Sequence, residues 1–362
     1  MSAVLVPLCP FSQVLRSRAR SLLAGTGHHA RTAPRPDTDE RADAVLSVVI
    51  CAYTLDRWDD IRAAVASVRA QQPPIDEILL VVDHCPELLA RATRELTGLR
   101  VLPNRERQGL SGARNTGVAE ARGEIVAFLD DDAAADRAWA ARLLEGYRDP
   151  HVLGVGGLVR PWWQGGRPDW FPAEFDWVVG CSYEGLPRCS GPVRNFIGAN
   201  MSFRRAEVLA AGGFRTDLGR VGTRPLGCEE TELCLRLSER HPDAVLLYQP
   251  SAAVRHHVPE SRATWAYFRS RCYSEGLSKA MVSRRAGHQR ALASERAYLR
   301  STIPHACLRS LRPGADPRTL AALTGGVGAT VLGYALGLAR GAIHAQAIHA
   351  PDIHASAGGE PT

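Results

Sequence analysis

Short apolar runs alternate with segments of helical periodicity between residues 45 and 150. Runs that are apolar on both faces predict buried parallel strands, whereas apolar residues three and four apart predict helices. Strand and helix alternate here at the spacing of right-handed crossovers, so this half predicts a parallel sheet covered by helices. The predicted strands are Leu46–Cys51, Glu77–Val82, Leu99–Leu102 and Glu124–Leu129, and the predicted helices are Arg57–Gln71, Gly109–Arg122 and Asp136–Tyr147.

Residues 151–285 combine further strand and helix signals with an aromatic segment, 161–183, that holds four of the seven tryptophans. Two interpretations of this segment stay open. Its side chains pack the core, as aromatic residues usually do, or they form a lid over a sugar or an isoprenoid chain. The predicted strands are Val152–Val159, Phe196–Phe203 and Ala244–Tyr248, and the predicted helices are Gly227–Glu239 and Arg262–Arg284.

An uncharged stretch near the end, Leu320–Ala339, approaches the length of a membrane span, although its glycines and threonines keep its hydropathy low. Gly325, Ala329, Gly333 and Gly337 recur every four residues, which predicts a small-residue face for close helix packing. The stretch is either a buried helix of a soluble domain or a helix that inserts into a membrane or re-enters it.

Composition narrows the partners and the compartment. The formal net charge of +6 and the pI of about 9.0 favour anionic ligands, yet no arginine and aromatic motif predicts nucleic-acid binding. The nine cysteines include no CxxC pair, so neither a zinc site nor a disulfide framework is predicted, and a reducing cytosol is expected. Residues 1–44 are predicted to be a disordered leader without a secretory signal. Residues 286–342 are predicted to be helical, and residues 343–362 to be a disordered tail.

Three consecutive carboxylates, Asp130, Asp131 and Asp132, directly follow a run of five apolar residues. Ligands of open α/β sheets bind at the carboxyl ends of the strands. Adjacent carboxylates repel one another unless they are solvated or neutralised by a cation. Asp130 and Asp132 suit oxygen ligation of Mg²⁺ or Mn²⁺. The alternative is an acidic turn that caps the next helix.

Six motifs together resemble those of family 2 glycosyltransferases with the GT-A fold, over roughly residues 45–280. The resemblance implies an α/β fold with a Rossmann-like, mostly parallel sheet and a helical extension. It also implies a nucleotide-sugar half, 45–150, and an acceptor half, 151–285. The motifs are Leu46–Cys51, Asp83, Gly112–Gly117, Asp130–Asp132, Gly198–Asn200 and Cys228–Leu233.

The same resemblance implies a divalent metal, Mn²⁺ or Mg²⁺, held by Asp130 and Asp132 against the donor diphosphate. Val254 and Arg255 lead into two histidines, where related enzymes often place a further metal ligand. His256 is the predicted ligand and the alternative is the histidine that follows it. An imidazole ligand favours Mn²⁺ over Mg²⁺.

Four residues are predicted to bind the donor. Asp83 is expected to accept a hydrogen bond from the base or the ribose, unless it caps the next helix. Arg114 is expected to pair with phosphate, unless it forms a surface salt bridge. Asp131 is assigned to the ribose or to support of the metal ligands, and Thr54 to the loop after the first strand.

An acidic pair, Glu229 and Glu230, is expected to supply the base of an inverting displacement. The family usually has Glu-Asp at this position and uses the second member. Glu230 is therefore the first choice, and Glu229 stays open. Acids favoured by a helix N-terminus are the alternative explanation.

Two longer runs, 170–180 and 219–225, resemble the subgroup of glucosyl-dolichyl-phosphate glucuronosyltransferases and their bacterial relatives. The resemblance implies a UDP-sugar donor, a polyprenyl-phosphate-linked sugar as acceptor, and a cytoplasmic site at the inner face of the plasma membrane. The alternatives are a nucleotidyltransferase and a non-catalytic nucleotide-binding protein. The first is disfavoured because the loop Ala52–Arg57 lacks the glycines that such enzymes carry after the first strand.

Overall fold

The computed structural model describes residues 45–219, 227–287 and 292–348. The predicted leader, 1–44, the end of the predicted tail and residues 220–225 of the second subgroup run therefore lie outside the described residues. One mixed sheet organises the chain, in the order β3-β2-β1-β4-β8-β6-β9-β5, with β7 paired to β9. The strands are β1 (Leu46–Ala52), β2 (Glu77–Val82), β3 (Arg100–Pro103), β4 (Ile125–Asp130), β5 (Ala133–Ala135), β6 (Val152–Trp163), β7 (Gly191–Pro192), β8 (Asn200–Arg204) and β9 (Val245–Val258).

Strands β1 to β4 form the predicted parallel half of this sheet. Cys51 lies opposite Asp130, so the loop after β1 and the acidic triplet after β4 leave the sheet side by side. Strand β8 then pairs antiparallel with both β4 and β6. The helices of this region are α1 (Trp58–Arg69), α2 (Pro86–Glu95), α3 (Leu110–Glu120), α4 (Trp139–Gly146), α5 (Arg205–Ala210) and α6 (Glu229–Arg240).

Strand β9 runs much further than predicted, because its proline does not end it. Gly157 of β6 pairs with Gln249, and the next residue, Leu158, pairs with Ala253. The three intervening residues of β9, including Pro250, bulge out of the ladder, which removes the need for a proline N–H. The strand predicted from Phe196 begins instead at Asn200.

The aromatic segment contributes mainly to the core. Trp170, Phe171 and Phe175 are buried, and Phe268 packs against all three rings. Trp170 also stacks on Trp265 with the ring centroids 4.1 Å apart. The packing interpretation is therefore confirmed for these residues.

The last described residues form a helical extension in which one long helix packs on another. A Cβ atom at Gly333 would lie 2.1 Å from the carbonyl oxygen of Tyr273, and one at Gly337 would lie 2.7 Å from the Cβ of Ala280. The predicted small-residue face is confirmed at these two glycines and is wrong at Gly325, which faces open space. The helices are α7 (Trp265–Ala286), α8 (Ala293–Ala297), α9 (Ile303–Ser310) and α10 (Pro317–Ile348).

Helix α10 is long and apolar enough over Pro317–Arg340 to cross a membrane by length and composition. Only 28% of its most apolar 18-residue window is buried inside the structure. Val331 and Leu332 are each 55% exposed. The helix therefore has one face closed by α7 and a second, apolar face that the described residues leave uncovered.

Candidate active site

A cavity of about 440 Å³ lies at the carboxyl end of the parallel strands and extends to α7 and α10. Its wall contains eight of the nine site residues expected from the sequence. The ninth, Thr54, does not line it. The hydroxyl of Thr54 instead accepts a hydrogen bond from the backbone N–H of Asp56, 3.2 Å away, and caps a short 3₁₀ turn. The eight lining residues are Asp83, Arg114, Asp130, Asp131, Asp132, Glu229, Glu230 and His256.

Asp130, Asp132 and His256 form a cluster in which one ligand atom from each residue lies within 4.8 Å of the others. Asp132 directly precedes β5, and His256 lies opposite Ala133 in the pairing of β5 with β9. Sheet register thus brings together residues that are 124 positions apart in the chain. Nε2 of His256 lies 3.0 Å from Oδ1 of Asp132, whereas His257 turns away to Asp60 at 3.0 Å.

Two carboxylates and one imidazole are a donor set that fits Mn²⁺ or Mg²⁺. Burial alone would raise the pKa of Asp132, but His256 and the nearby arginines hold that pKa below its usual range. Asp132 is therefore ionised, as a metal ligand must be. Its carboxylate in turn raises the pKa of His256, so a bound cation would replace the proton on that imidazole. The residues present fit a divalent cation.

Two arginines that the sequence analysis missed neutralise this end of the cavity. Nη1 of Arg57 lies 2.7 Å from Oδ1 of Asp131 and 3.1 Å from Oδ2 of Asp132. Nη2 of Arg262 lies 3.5 Å from the same Asp132 oxygen. Burial raises the pKa of Asp131 to about 7 in spite of Arg57. The available signal was the place of Arg57 in the loop that follows β1, since β1 pairs with β4. Arg262 carried no local signal.

Asp83 faces the turn that precedes α3. Its Oδ2 accepts a hydrogen bond from the backbone N–H of Gly109 at 2.9 Å, and its Oδ1 accepts from Nδ2 of Asn104 at 2.7 Å. The helix-capping alternative is wrong, because the N-cap of α2 is Cys85. The next residue, His84, has a φ of 50° and places Nδ1 2.9 Å from the Asp83 carboxylate.

Arg114 lies deeper than either of its predicted roles requires. Its side chain is 2% exposed, with Nη1 2.7 Å from Oε1 of Glu229 and Nη2 3.5 Å from Oδ1 of Asp130. Nη2 also donates to the carbonyl oxygen of Gly198 at 3.3 Å. The surface salt bridge is therefore wrong, because the guanidinium is buried and contacts two site carboxylates. Its contact with phosphate stays a prediction.

Glu229 and Glu230 begin α6 side by side but in different surroundings. Glu229 is buried against Arg114. Among the described residues no cation lies within ion-pair distance of Glu230, and the hydroxyl of Thr231 donates to its Oε1 at 3.4 Å. Burial and the neighbouring Glu229 raise the pKa of Glu230 to about 8. Cys228, which precedes the pair, has a φ of 71°; positive φ at non-glycine residues concentrates at functional sites.

This fold and this array of carboxylates are those of a glycosyltransferase. The chain belongs to glycosyl transferase family 2, whose family model matches residues 47–209. The predicted family, the predicted GT-A fold and the prediction that the protein is an enzyme are confirmed. The alternatives, a nucleotidyltransferase and a non-catalytic nucleotide-binding protein, are therefore not supported.

Two curated relatives are similar over most of their length. The glucosyl-dolichyl phosphate glucuronosyltransferase of Haloferax volcanii is 34% identical over 241 residues, which cover 66% of this chain and 77% of that protein. The succinoglycan biosynthesis protein ExoM of Rhizobium meliloti is 28% identical over 242 residues, covering 64% and 72%. The mannosyltransferase PcManGT from Pyrobaculum calidifontis, solved with GDP-Man and Mn²⁺, shares the fold with a TM-score of 0.51, 20% identity and 93% coverage of each chain.

Proposed function

We propose that this chain is a metal-dependent, inverting glycosyltransferase that moves a sugar from a nucleotide donor, a UDP-sugar, to a hydroxyl of a polyprenyl-phosphate-linked sugar. Residues 45–150 bind the donor, 151–285 bind the acceptor, and 286–342 form the helical part that meets the cytoplasmic face of the membrane. The observation that carries the proposal is the pair Glu229 and Glu230, whose surroundings separate a carboxylate paired with Arg114 from one with a raised pKa. Such a separation is how active sites assign different roles to neighbouring acids.

The donor end is built by the acidic triplet and its neighbours. Asp130, Asp132 and His256 would hold the divalent cation, which would supply Lewis-acid stabilisation of negative charge on the nucleoside diphosphate. Asp83 accepts from the base or ribose, and Asp131 accepts from the ribose. Asp131 Oδ2 is buried and has no hydrogen-bond partner among the described residues, so a donor hydroxyl would satisfy it.

Glu230 takes the proton of the attacking hydroxyl. The acceptor oxygen bonds to the anomeric carbon while the bond from that carbon to the diphosphate breaks, so the configuration inverts. A pKa of about 8 lies close to the operating pH, which suits a general base better than an ordinary carboxylate pKa. Glu229 instead keeps Arg114 neutralised and in place.

The acceptor end supports a lipid-linked substrate. Trp177, Tyr183, Val327 and Tyr334 line the part of the cavity that α10 helps to close. The Haloferax volcanii relative is named for a dolichyl phosphate substrate. A cavity that joins carboxylates at one end to aromatic and apolar side chains at the other suits a sugar on an apolar carrier.

A thermal-shift experiment on the purified chain tests the donor assignment. A panel of nucleotide sugars is measured with and without Mn²⁺, since a ligand that binds only the native state raises the melting temperature. We expect one UDP-sugar to stabilise the protein only when Mn²⁺ is present. A response to nucleoside triphosphates and to none of the sugars would contradict the proposal. Proton NMR of the anomeric centre in the product then tests inversion.

A further inference from the structure

The end of the aromatic segment contacts the histidine of the metal cluster. Cys181 is fully buried, and its sulfur lies 3.8 Å from Nδ1 of His256. The other ring nitrogen, Nε2, lies 3.0 Å from Oδ1 of Asp132. The imidazole is therefore held between a sulfur atom at one nitrogen and a carboxylate of the metal cluster at the other.

The hydrogen bonds of the Cys181 thiol have a defined direction. Its sulfur also lies 3.8 Å from the carbonyl oxygen of Val179. A carbonyl oxygen can only accept, so the S–H group donates to Val179 and the sulfur lone pairs are left to accept from Nδ1–H of His256. Nδ1 then keeps its hydrogen. Nε2, which faces Asp132, is consequently the nitrogen whose lone pair can bind a cation.

Backbone hydrogen bonds fix the position of Cys181. Its N–H donates to the carbonyl oxygen of Asp176 at 3.0 Å, and the N–H of Ser182 donates to the carbonyl oxygen of Val159 at 2.9 Å. The hydroxyl of Ser182 accepts in return from the N–H of Val159 at 2.9 Å. Val159 belongs to β6, which pairs with β9, the strand that carries His256. The thiol and the imidazole are thus attached to two strands that are neighbours in the sheet.

Gly180 lets the chain turn toward the imidazole. It caps the short 3₁₀ segment Ala173–Val179 with a φ of 79°, in the left-handed region that glycine adopts without steric cost. A Cβ atom at Gly180 would lie 3.5 Å from Cε1 of His256. The turn therefore passes in direct contact with the ring and delivers the next residue, Cys181, to Nδ1.

Cys181 is suited to orient the histidine and is not one of the grouped metal-binding atoms. Among the described residues, the group whose ligand atoms lie within 4.8 Å of one another consists of Asp130, Asp132 and His256. A histidine that binds a metal usually donates its second ring N–H to a fixed acceptor, which sets the orientation of the ring. The sulfur of Cys181 is in the position of that acceptor.

We propose that Cys181 is a positioning residue, which holds the imidazole of His256 with Nε2 toward Asp132 and the cation site. This inference rests on the proposed function, because that function makes His256 a metal ligand. It gives the end of the aromatic segment a role besides core packing. It also explains why a fully buried thiol adjoins a ring that reaches the cavity.

A titration of the full chain with Mn²⁺, followed by electron paramagnetic resonance, tests the role of Cys181. Cys181→Ala should weaken Mn²⁺ binding by about tenfold, at the low end of the effect of losing such an acceptor, because sulfur accepts weakly. Cys181→Ser should retain most of the affinity, since a hydroxyl can accept from Nδ1–H and donate to Val179. The matched control is Cys272→Ala, which removes another fully buried thiol outside the metal cluster and the cavity lining. It should leave the Mn²⁺ affinity unchanged.

A double-mutant cycle separates positioning from a general loss of structure. In a His256→Ala background, Cys181→Ala should cause no further loss of Mn²⁺ affinity, because the imidazole through which it acts is gone. A thiol with a merely structural role would weaken Mn²⁺ binding equally in both backgrounds. Circular dichroism of the metal-free proteins verifies that each variant is folded.

Several outcomes would overturn the inference. They are an unchanged Mn²⁺ affinity in Cys181→Ala, an equal loss in Cys272→Ala, a serine variant as weak as the alanine variant, and equal losses in the two backgrounds of the cycle. Each of them, found together with Mn²⁺ binding by the unaltered chain, counts against the positioning role alone. If the unaltered chain did not bind Mn²⁺, the metal assignment of the proposed function would fail, and the role of Cys181 would fail with it.

Discussion

Replacement of each member of the acidic pair by glutamine separates a catalytic carboxylate from a supporting one. Glu230→Gln removes the proposed base and keeps the shape of the side chain. Loss of a general base lowers kcat by about 10²- to 10⁴-fold. Binding of the nucleotide sugar should be unchanged, because the variant leaves Asp83, the acidic triplet and His256 intact.

The stability of the Glu230→Gln variant should rise at alkaline pH. The pKa of Glu230 is about 8 in the folded chain against an ordinary value of 4.5, so the folded state favours the neutral carboxyl. This contribution to stability is complete below about pH 4.5 and is lost as the pH rises through about 8. Glutamine stays neutral throughout. We therefore expect a gain on the order of 2 kcal/mol at pH 8, or about 4 °C in melting temperature, and little difference near pH 5.

The neighbouring substitution, Glu229→Gln, should act in the opposite direction. It leaves the guanidinium of Arg114, which is 2% exposed, without its closest counter-charge, and Asp130 lies farther away at 3.5 Å. Breaking a buried ion pair by removing one partner costs about 3–5 kcal/mol. The melting temperature should fall by at least about 6 °C, and activity should fall with it.

Melting temperatures at pH 5 and pH 8, together with initial rates of sugar transfer, distinguish the two variants. The reasoning fails if Glu230→Gln retains full transfer activity, or if it is destabilised as strongly as Glu229→Gln at both pH values. Unaltered protein should show transfer activity that rises with pH toward a plateau above about pH 8, because the ionised form of Glu230 is the base. A rising limb at the same pH in Glu230→Gln would assign that ionisation to another group.

Two further predictions follow from the metal cluster and from the packing of α10. Asp132→Asn should weaken Mn²⁺ binding by about 100-fold in a titration followed by electron paramagnetic resonance. The control is Asp136→Asn, which alters a carboxylate outside the cluster and should not weaken Mn²⁺ binding. Equal Mn²⁺ affinities of the two variants would show that Asp132 is not a metal ligand. Gly333→Ala should lower the free energy of unfolding by about 1–3 kcal/mol, because the added Cβ would lie 2.1 Å from the Tyr273 carbonyl oxygen. Gly325→Ala should instead raise the free energy of unfolding by up to about 1 kcal/mol, because Gly325 faces open space and alanine has the higher helix propensity. Urea unfolding measures both, and a shared sign would refute the packing argument.

The sequence predicted well what is local and poorly what is brought together by the sheet. The run from Ile125 into the acidic triplet is continuous in the chain, so both the strand and the site at its end could be recognised. The preference for His256 over its neighbour depended on resemblance, and in the structure it reflects pairing with Ala133. The burial of Arg114 against Glu229 spans 115 positions, and no local pattern distinguishes it from a phosphate-binding arginine.

Strand ends were the other weakness, for a physical reason. The strand predicted over Ala244–Tyr248 stops short of Pro250, and a proline in a regular strand removes one ladder hydrogen bond. A bulge lets the strand continue, and this continuation carries His256 to the acidic triplet. Pro250 therefore lies within the strand that carries His256 into the metal cluster.

Arg114 links the two ends of the proposed reaction. One guanidinium nitrogen contacts Asp130 at the donor end and the other contacts Glu229 beside the base. The rings of Phe128 and Phe214 lie 5.9 and 5.5 Å from the guanidinium carbon, so core packing restricts its movement. Because the group is rigid, planar and permanently charged, it sets the position of the acidic pair relative to the end of β4. Arg114 thereby ties the position of the acidic pair to β4, the strand that leads into Asp130 and Asp132. The compact ammonium group of a lysine at this position could not contact both carboxylates in this way.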